Sequence, residues 1–394
     1  MQELANPPVR RSRWGLFAMP LVLVVLAIGW SIFWFVASSQ VNVQFEHWRA
    51  REAQAGRVYD CGKLAVGGYP FRFEVRCQTA TVDLIAQSAK RKFGKAELSE
   101  ILAVAQIYNP RLLIAEFTGP LTVTEQGEQQ SLMVNWKDAR ASVFGLPVSP
   151  ERISLVVDEP TLERSAGTLR VPLARAKISE FHGRIAQGSA LENPVIEAVW
   201  QLGKASAEPL HPVLGEAFDA KVQARLSGLK DFRPKPWPER FREIQAANGR
   251  IEILQSRLQQ GNMIAVATGT LGITAEGFLD GELQMVVAGL EKIVPALGID
   301  KILEQGASQA TLDRLAPGLK AEQVDKAMGA LDKLIPGLGN VVRQQAPVAI
   351  GGIIGMLGQK AMLEGKPAQA FPLRFAEGGV YLGRIRVAQT QPLF

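Results

Sequence analysis

Apolar and polar positions alternate along most of this chain, but its first forty residues break the pattern. From Gly15 to Ala37 there are 23 residues without a charge, and no further charged residue follows until Glu46. As an α-helix such a stretch would reach roughly 34 Å, enough to cross a hydrocarbon core of about 30 Å. Arg10, Arg11 and Arg13 stand directly before it, and Trp14, Trp30 and Trp34 are placed to sit at interfaces. The positive-inside rule then keeps the N-terminus cytoplasmic and exports the chain beyond residue 40. The alternative is a cleaved signal peptide, with "ASS" at 37–39 as its cleavage site. Signal cores usually span about 7–15 apolar residues, so the length favours an uncleaved, single-pass inner-membrane anchor.

Beyond the anchor, "VNVQFEHWRAREAQAG" predicts a short separate helix with Val41, Phe45 and Trp48 on one face and Gly56 as its stop. Strand-like runs come next, at 121–126, 131–143, 152–157 and 176–181. The clearest period-two alternation is "KVQARLSGL" at 221–229, continued at 250–258, 262–274 and 281–287. One apolar and one wet face is the signature of antiparallel sheet. A Pro-rich linker and a short helix after Pro238 interrupt at 231–249. Residues 290–363 lose the strand signal: "GLEKIVPALG" is echoed by "ALDKLIPGLG" 41 residues later, as helices ended by Pro and Gly would be. "APVAIGGIIGMLG" (346–358) is apolar but too short to span a bilayer.

The expected class is therefore α+β and mainly antiparallel β, a long curved sheet with a helical segment packed on it. Its divisions are a basic tail at 1–13, an anchor at 14–38, a β-rich exported region at 39–289, a helical cap at 290–365, and returning strands at 366–394. "YPFRFEV" (69–75) and "FPLRFAE" (371–377) resemble each other, and both begin where a proline suits a strand start or sheet edge.

Charge and motif content remove function classes. The net charge of +6 is dispersed over the chain, with no basic stripe interleaved with aromatics, so no nucleic-acid partner is expected. The three histidines, His47, His182 and His211, show no metal-ligand spacing. Nucleophile-elbow and phosphate-loop patterns are missing. The expectation is a non-enzyme with no cofactor and no metal.

The two cysteines, Cys61 and Cys77, flank "GGYP". If the turn centres on Tyr69, paired positions sum to 138 and the two thiols face each other. Directly opposed residues lie about 4.5–5.5 Å apart at Cα, within disulfide reach. In an oxidising compartment they would form a structural bridge, worth roughly 3 kcal/mol in the chain-entropy account. Unpaired thiols in a cytosolic hairpin are the alternative.

The anchor, the Trp-bearing helix, "VGGYPFRFEVRC" and "GTLGITAEGFLDGELQMVVAGLEKIVPALG" resemble domain-of-unknown-function family 2125 from about residue 20 to 390. The same features are distantly similar to AsmA-like envelope proteins. That resemblance implies a curved sheet with an apolar groove that accommodates lipid, although this chain is short for such a protein. The expected partners are the inner membrane, and either lipid acyl chains or an envelope protein bound through sheet edges. The candidate lipid-facing groove is Val222, Leu226, Ile251, Ile253, Ile264, Val266, Leu283 and Met285. A plain hydrophobic core made of the same side chains is the competing account.

Overall fold

The computed structural model describes residues 14–54, 56–86, 91–125, 130–146, 149–210, 212–233, 235, 237–289, 358–382 and 385–394. It is mostly antiparallel sheet, open and curved, with two α-helices among the described residues.

The first helix, α1 (Trp14–Gln54), runs 41 residues without a break. The separate helix expected after residue 40 is a continuation of the apolar one, because nothing between Ala37 and Val41 stops it. At 1.5 Å per residue α1 is about 62 Å long. β1 (Arg57–Gly67) and β2 (Arg72–Ala86) then form a hairpin that folds back along α1. Eleven strand residues cover about 36 Å, the same as the 24 helical residues from Gln54 back to Trp30. The match brings the turn level with Trp30 and Trp34.

β3 (Arg91–Gln106) and β4 (Asn109–Glu125) extend the sheet. β4 is a fork. Its first half, Leu112–Glu116, pairs β6 (Asp138–Phe144), and its second half, Leu121–Thr124, pairs β5 (Gln130–Asn135). The β5 branch continues through β8 (Thr161–Ala166) to β9 (Leu169–Arg175). The β6 branch is the main sheet. It proceeds through β7 (Arg152–Asp158), β10 (Ile178–Ser189), β11 (Glu192–Ala205), β12 (Phe218–Leu226), β13 (Ile251–Gln260), β14 (Met263–Ile273) and β15 (Leu279–Ala288). The end of β9 returns to the main sheet, where Arg175 and Ser206 exchange backbone hydrogen bonds of 2.9 and 2.8 Å.

Of the expected helical cap at 290–365, residues 290–357 lie outside the described residues, and the remainder is not helix. Gln359–Leu363 is a strand, β16, on the outer edge of β17 (Lys366–Ala376). β17 pairs β15 on its inner edge. β18 (Gly379–Leu382) and β19 (Ile385–Gln389) complete the sheet. Pro372 is tolerated inside β17 because, among the described residues, its outer edge is unpaired there: the β16 pairing ends at Ala370 and the β18 pairing begins at Leu373. The short helix expected after Pro238 is α2 (Trp237–Ala246).

Opposed residues share a face, so the registers sort the side chains. On one face a rung of mainly charged groups crosses the sheet: Phe144, Arg152, Arg184, Glu197, Arg225, Glu252, Thr270, Glu282, Arg374 and Tyr381. The other face is apolar. Its most buried cluster is Met263, Val287 and Phe371, packed against Leu258, Ala265 and Met285.

Candidate functional site: an apolar face with a cavity at the fork

The apolar face is not evenly filled. At the fork of β4 it holds a cavity of about 580 Å³, a volume typical of ligand pockets. Phe117 and Leu121 of β4, Leu155 and Val157 of β7, Leu162 of β8, and Trp200 and Leu202 of β11 line it, with Leu98 and Phe218 at its margins. The fork makes this space: the β5–β8–β9 branch leaves the main sheet after Gly119 and comes back to it at Ser206. Trp136 holds the angle. Its Nε1 donates to the Phe117 carbonyl at 2.9 Å, and a Cβ on Gly119 would stand 3.3 Å from its ring. A smaller cavity of about 250 Å³ lies on the same face, nearer the β1–β2 turn, among Val143, Ile153, Phe181 and Ile196. It exists because Gly183 carries no side chain between Ile153 and Phe181.

Between the β1–β2 turn and the larger cavity the face is paved with apolar residues, alanines prominent among them. One rung is Phe73, Ala105, Leu113, Val143 and Ile153, and the next is Val75, Ala103, Ala115, Ala141 and Leu155. Along β4, Leu113, Ala115 and Phe117 are half-buried while Ile114, Glu116 and Thr118 on the charged face are exposed.

The expected groove divides. Val222, Leu226, Ile251, Ile253, Leu283 and Met285 share the apolar face, on opposed or alternating positions of β12, β13 and β15. Ile264 and Val266 do not. They pair with Ala288 and Val286, whereas Met285 pairs with Ala267, so they point to the opposite face. A bulge in β13 between Ile253 and Ser256 causes the inversion. Without it, the Gln259↔Ile264 pairing would have kept both residues with Ile251 and Ile253. The Met263 and Val287 end of this face is core, while Val222 is 36% exposed. The larger cavity lies next door, on the strands before β12. Sequence patterning missed it because only pairing reveals that β4 serves two branches of the sheet.

The disulfide is present: Cys61 and Cys77 are bridged, with Cα atoms 5.6 Å apart. The register differs from the expected one. Pairs sum to 141, so Cys61 opposes Ala80 and Cys77 opposes Leu64, and the bridge runs diagonally across the hairpin. The turn centres past Pro70, where the Arg72 N–H donates to the Gly68 carbonyl at 3.2 Å.

Around the hairpin, α1 makes a continuous contact. Trp30 Nε1 donates to the Pro70 carbonyl at 2.9 Å and Trp34 Nε1 to the Arg72 carbonyl at 3.1 Å. Ser31 and Tyr69 share a hydroxyl hydrogen bond of 2.8 Å. Trp34 stacks on Phe73 and meets Tyr69 edge-on, and Trp48 packs on Tyr59. Burial in that contact pushes the Tyr59 phenol up, against the lowering effect of nearby Arg57.

Two other clusters have a chemical appearance. Ser154 Oγ lies 2.9 Å from His182 Nδ1, and Glu180 lies 3.9 Å from the other ring nitrogen. This trio sits in mid-sheet on the charged face. β7 is paired on both sides, so its backbone N–H groups are spent in ladders rather than aimed at an oxyanion. The second cluster anchors α2. Arg240 Nη1 reaches Glu243 at 2.7 Å and the Asp231 carbonyl at 2.8 Å, and the Glu243 carboxylate also receives the Lys230 N–H at 2.7 Å. His47 is on α1, and His211 lies outside the described residues.

Taken together these features define a class: a β-rich protein whose N-terminal helix is long and apolar enough to cross a membrane, joined to an open sheet with one apolar, cavity-bearing face. The chain belongs to the bacterial family described as "Uncharacterized protein conserved in bacteria (DUF2125)", whose family model matches residues 34–391. Neither a curated protein nor a solved structure matches, so the distant AsmA-like similarity is not shown.

Proposed function

We propose that this protein is a non-catalytic, membrane-anchored component of the bacterial envelope that shelters the acyl chain of a lipid on its apolar sheet face. The cavity at the β4 fork carries the reading. It is large and, among the described residues, lined mainly by aliphatic and aromatic side chains. Native interiors hold few such voids, and space of this size lined by apolar groups suits an apolar ligand. Two features support the location. α1 supplies a span with arginines before it, which orients the N-terminus toward the cytoplasm. The Cys61–Cys77 bridge fits an oxidising compartment, the periplasm, for the rest of the chain.

Photocrosslinking tests the lipid. The full chain, in membranes fed a fatty acid with a photoactivatable group near its end, should acquire label on the peptides carrying Trp136, Leu155 and Trp200. Ala174→Phe, which fills the cavity from β9, should remove most of it and leave the circular dichroism spectrum intact. Label confined to α1 would overturn the proposal.

One observation favours a second reading, in which the protein binds a partner protein through a sheet edge. Among the described residues β9 pairs only β8 over Leu169–Ala174, and Leu169 and Val171 are exposed along the other edge. Lysine-scanning that edge would abolish a protein contact while sparing lipid crosslinking.

A further inference from the structure

Exposed aromatic residues are not scattered over the sheet. Among the described residues beyond α1 they are Tyr69, Phe71, Tyr108, Trp200 and Trp237. Trp200 lines the large cavity. The other four all lie at one end of the strands: in the β1–β2 turn, in the β3–β4 turn, and at the start of α2, which joins β12 to β13. Leu191, 70% exposed, tips the β10–β11 turn at this same end. An end-on cluster of exposed aromatics and aliphatics is costly in water and characteristic of a surface that meets lipid.

The contacts with α1 fix where that end stands. The Tyr69–Phe71 turn is hydrogen-bonded to Trp30, Ser31 and Trp34, and Phe71 lies 6.2 Å from the Trp30 ring. The neighbouring turn is tied to it, since the Ile107 N–H donates to the Phe71 carbonyl at 3.1 Å. From Trp14 to Trp34 is 20 residues, about 30 Å of helix and one hydrocarbon core. Trp34 therefore marks the far boundary of the bilayer, and Trp30 lies four residues, about 6 Å, inside it. The turn bonded to both cannot be held clear of the lipid.

We infer that the tips of the β1–β2 and β3–β4 hairpins are a membrane-immersed foot. Tyr69, Phe71 and Tyr108 sit in the interfacial layer of the leaflet on the sheet's side of the membrane, beside the helix that crosses it. This rests on the reading of α1 as a membrane span. The partner is the bilayer itself, not a protein. Tyrosine suits this layer, with a ring for the acyl boundary and a hydroxyl for the headgroups. The foot also sets the beginning of the apolar path, Leu113 and Ala115 on β4, against lipid rather than water.

Spin-label depth measurements on the full chain in nanodiscs test this. Labels are placed at Phe71→Cys and Tyr108→Cys, with Leu23→Cys as the bilayer reference and Leu169→Cys as the water reference. The native cysteines are bridged and take no label. The expected result is oxygen-rich, nickel-chelate-protected label at 71 and 108, at a depth between Leu23 and Leu169. If Leu23→Cys is lipid-immersed while 71 and 108 match Leu169, the foot is overturned and the anchor stands. If Leu23→Cys is itself in water, the anchor fails and the foot falls with it. Retention of the Cys61–Cys77 bridge and of the far-UV spectrum confirms that the variants are folded.

Discussion

Glu197 shows how one residue ties three strands together. Its carboxylate accepts from Arg225 on β12 at 2.6 Å and from Arg184 on β10 at 2.5 Å. The hydrogen bonds from Arg225, then those from Arg184, hold its pKa below the ordinary glutamate value. A depressed carboxylate stabilises the fold above its unfolded value, and that contribution is lost as pH falls through the lower folded value. The same direction holds for Asp219 and Glu364, held down by Lys204 and Arg257. Acidification below the usual carboxylate range should therefore lower the thermal midpoint of the full chain in nanodiscs. Glu197→Gln should start lower at neutral pH and show a shallower acid slope. An unchanged slope would show that the rung contributes no pH-dependent stability. The alternation that puts Arg225 opposite the apolar face is readable in "KVQARLSGL", but its partners Glu197 and Glu252 are not, since they come from other strands.

At the level of the element, the β1–β2 hairpin joins helix to sheet, and the diagonal disulfide locks it. With its cysteines separated by 16 positions in sequence, the bridge should be worth about 3 kcal/mol. Cys61→Ser should then speed hydrogen exchange of the β1 and β2 amides by about a hundredfold, and equal exchange rates would refute this assignment. The chemistry of this hairpin was legible: Gly-Gly-Tyr-Pro between two strand-like runs marks a turn, and paired thiols beyond a membrane-length helix mark a bridge. Its register was not, because the turn holds more residues than a centre at Tyr69 allows. The β13 bulge defeated sequence in the same way. A single added residue sends Ile264 and Val266 to the other face, and nothing in "RIEILQSRL" announces it. The unbroken α1 was hidden for a different reason. A change from apolar to charged composition reads as a boundary, although a helix can pass through it, as α1 does, with the hairpin packed along its later part.

For the molecule as a whole, the antiparallel class and the apolar first helix were evident from patterning, since both depend on local periodicity. The fork at β4, which creates the cavity, depends on which distant strand claims each half of one seventeen-residue strand. Local periodicity contains no information about that choice. The proposed topology has a direct check. A phosphatase reporter that folds only after export, fused behind Phe394, should be active, and the same reporter fused behind Arg13 should be inactive. The reverse pattern would place the sheet, its bridge and its cavity in the cytoplasm.

If α1 crosses the bilayer as proposed, its unbroken run from the apolar part into the part that carries β1 sets the strands upright from the membrane, and the chain becomes a ruler of elevation. Each pair of residues along β4 climbs about 6.6 Å, so Leu113 to Leu121 is a rise of roughly 26 Å. A molecule with a polar head and a long tail could thus keep its head among its neighbours in the leaflet while its tail reaches the fork. Such a guest would be held part-way out, ready either to sink back or to be drawn the rest of the way by something above it.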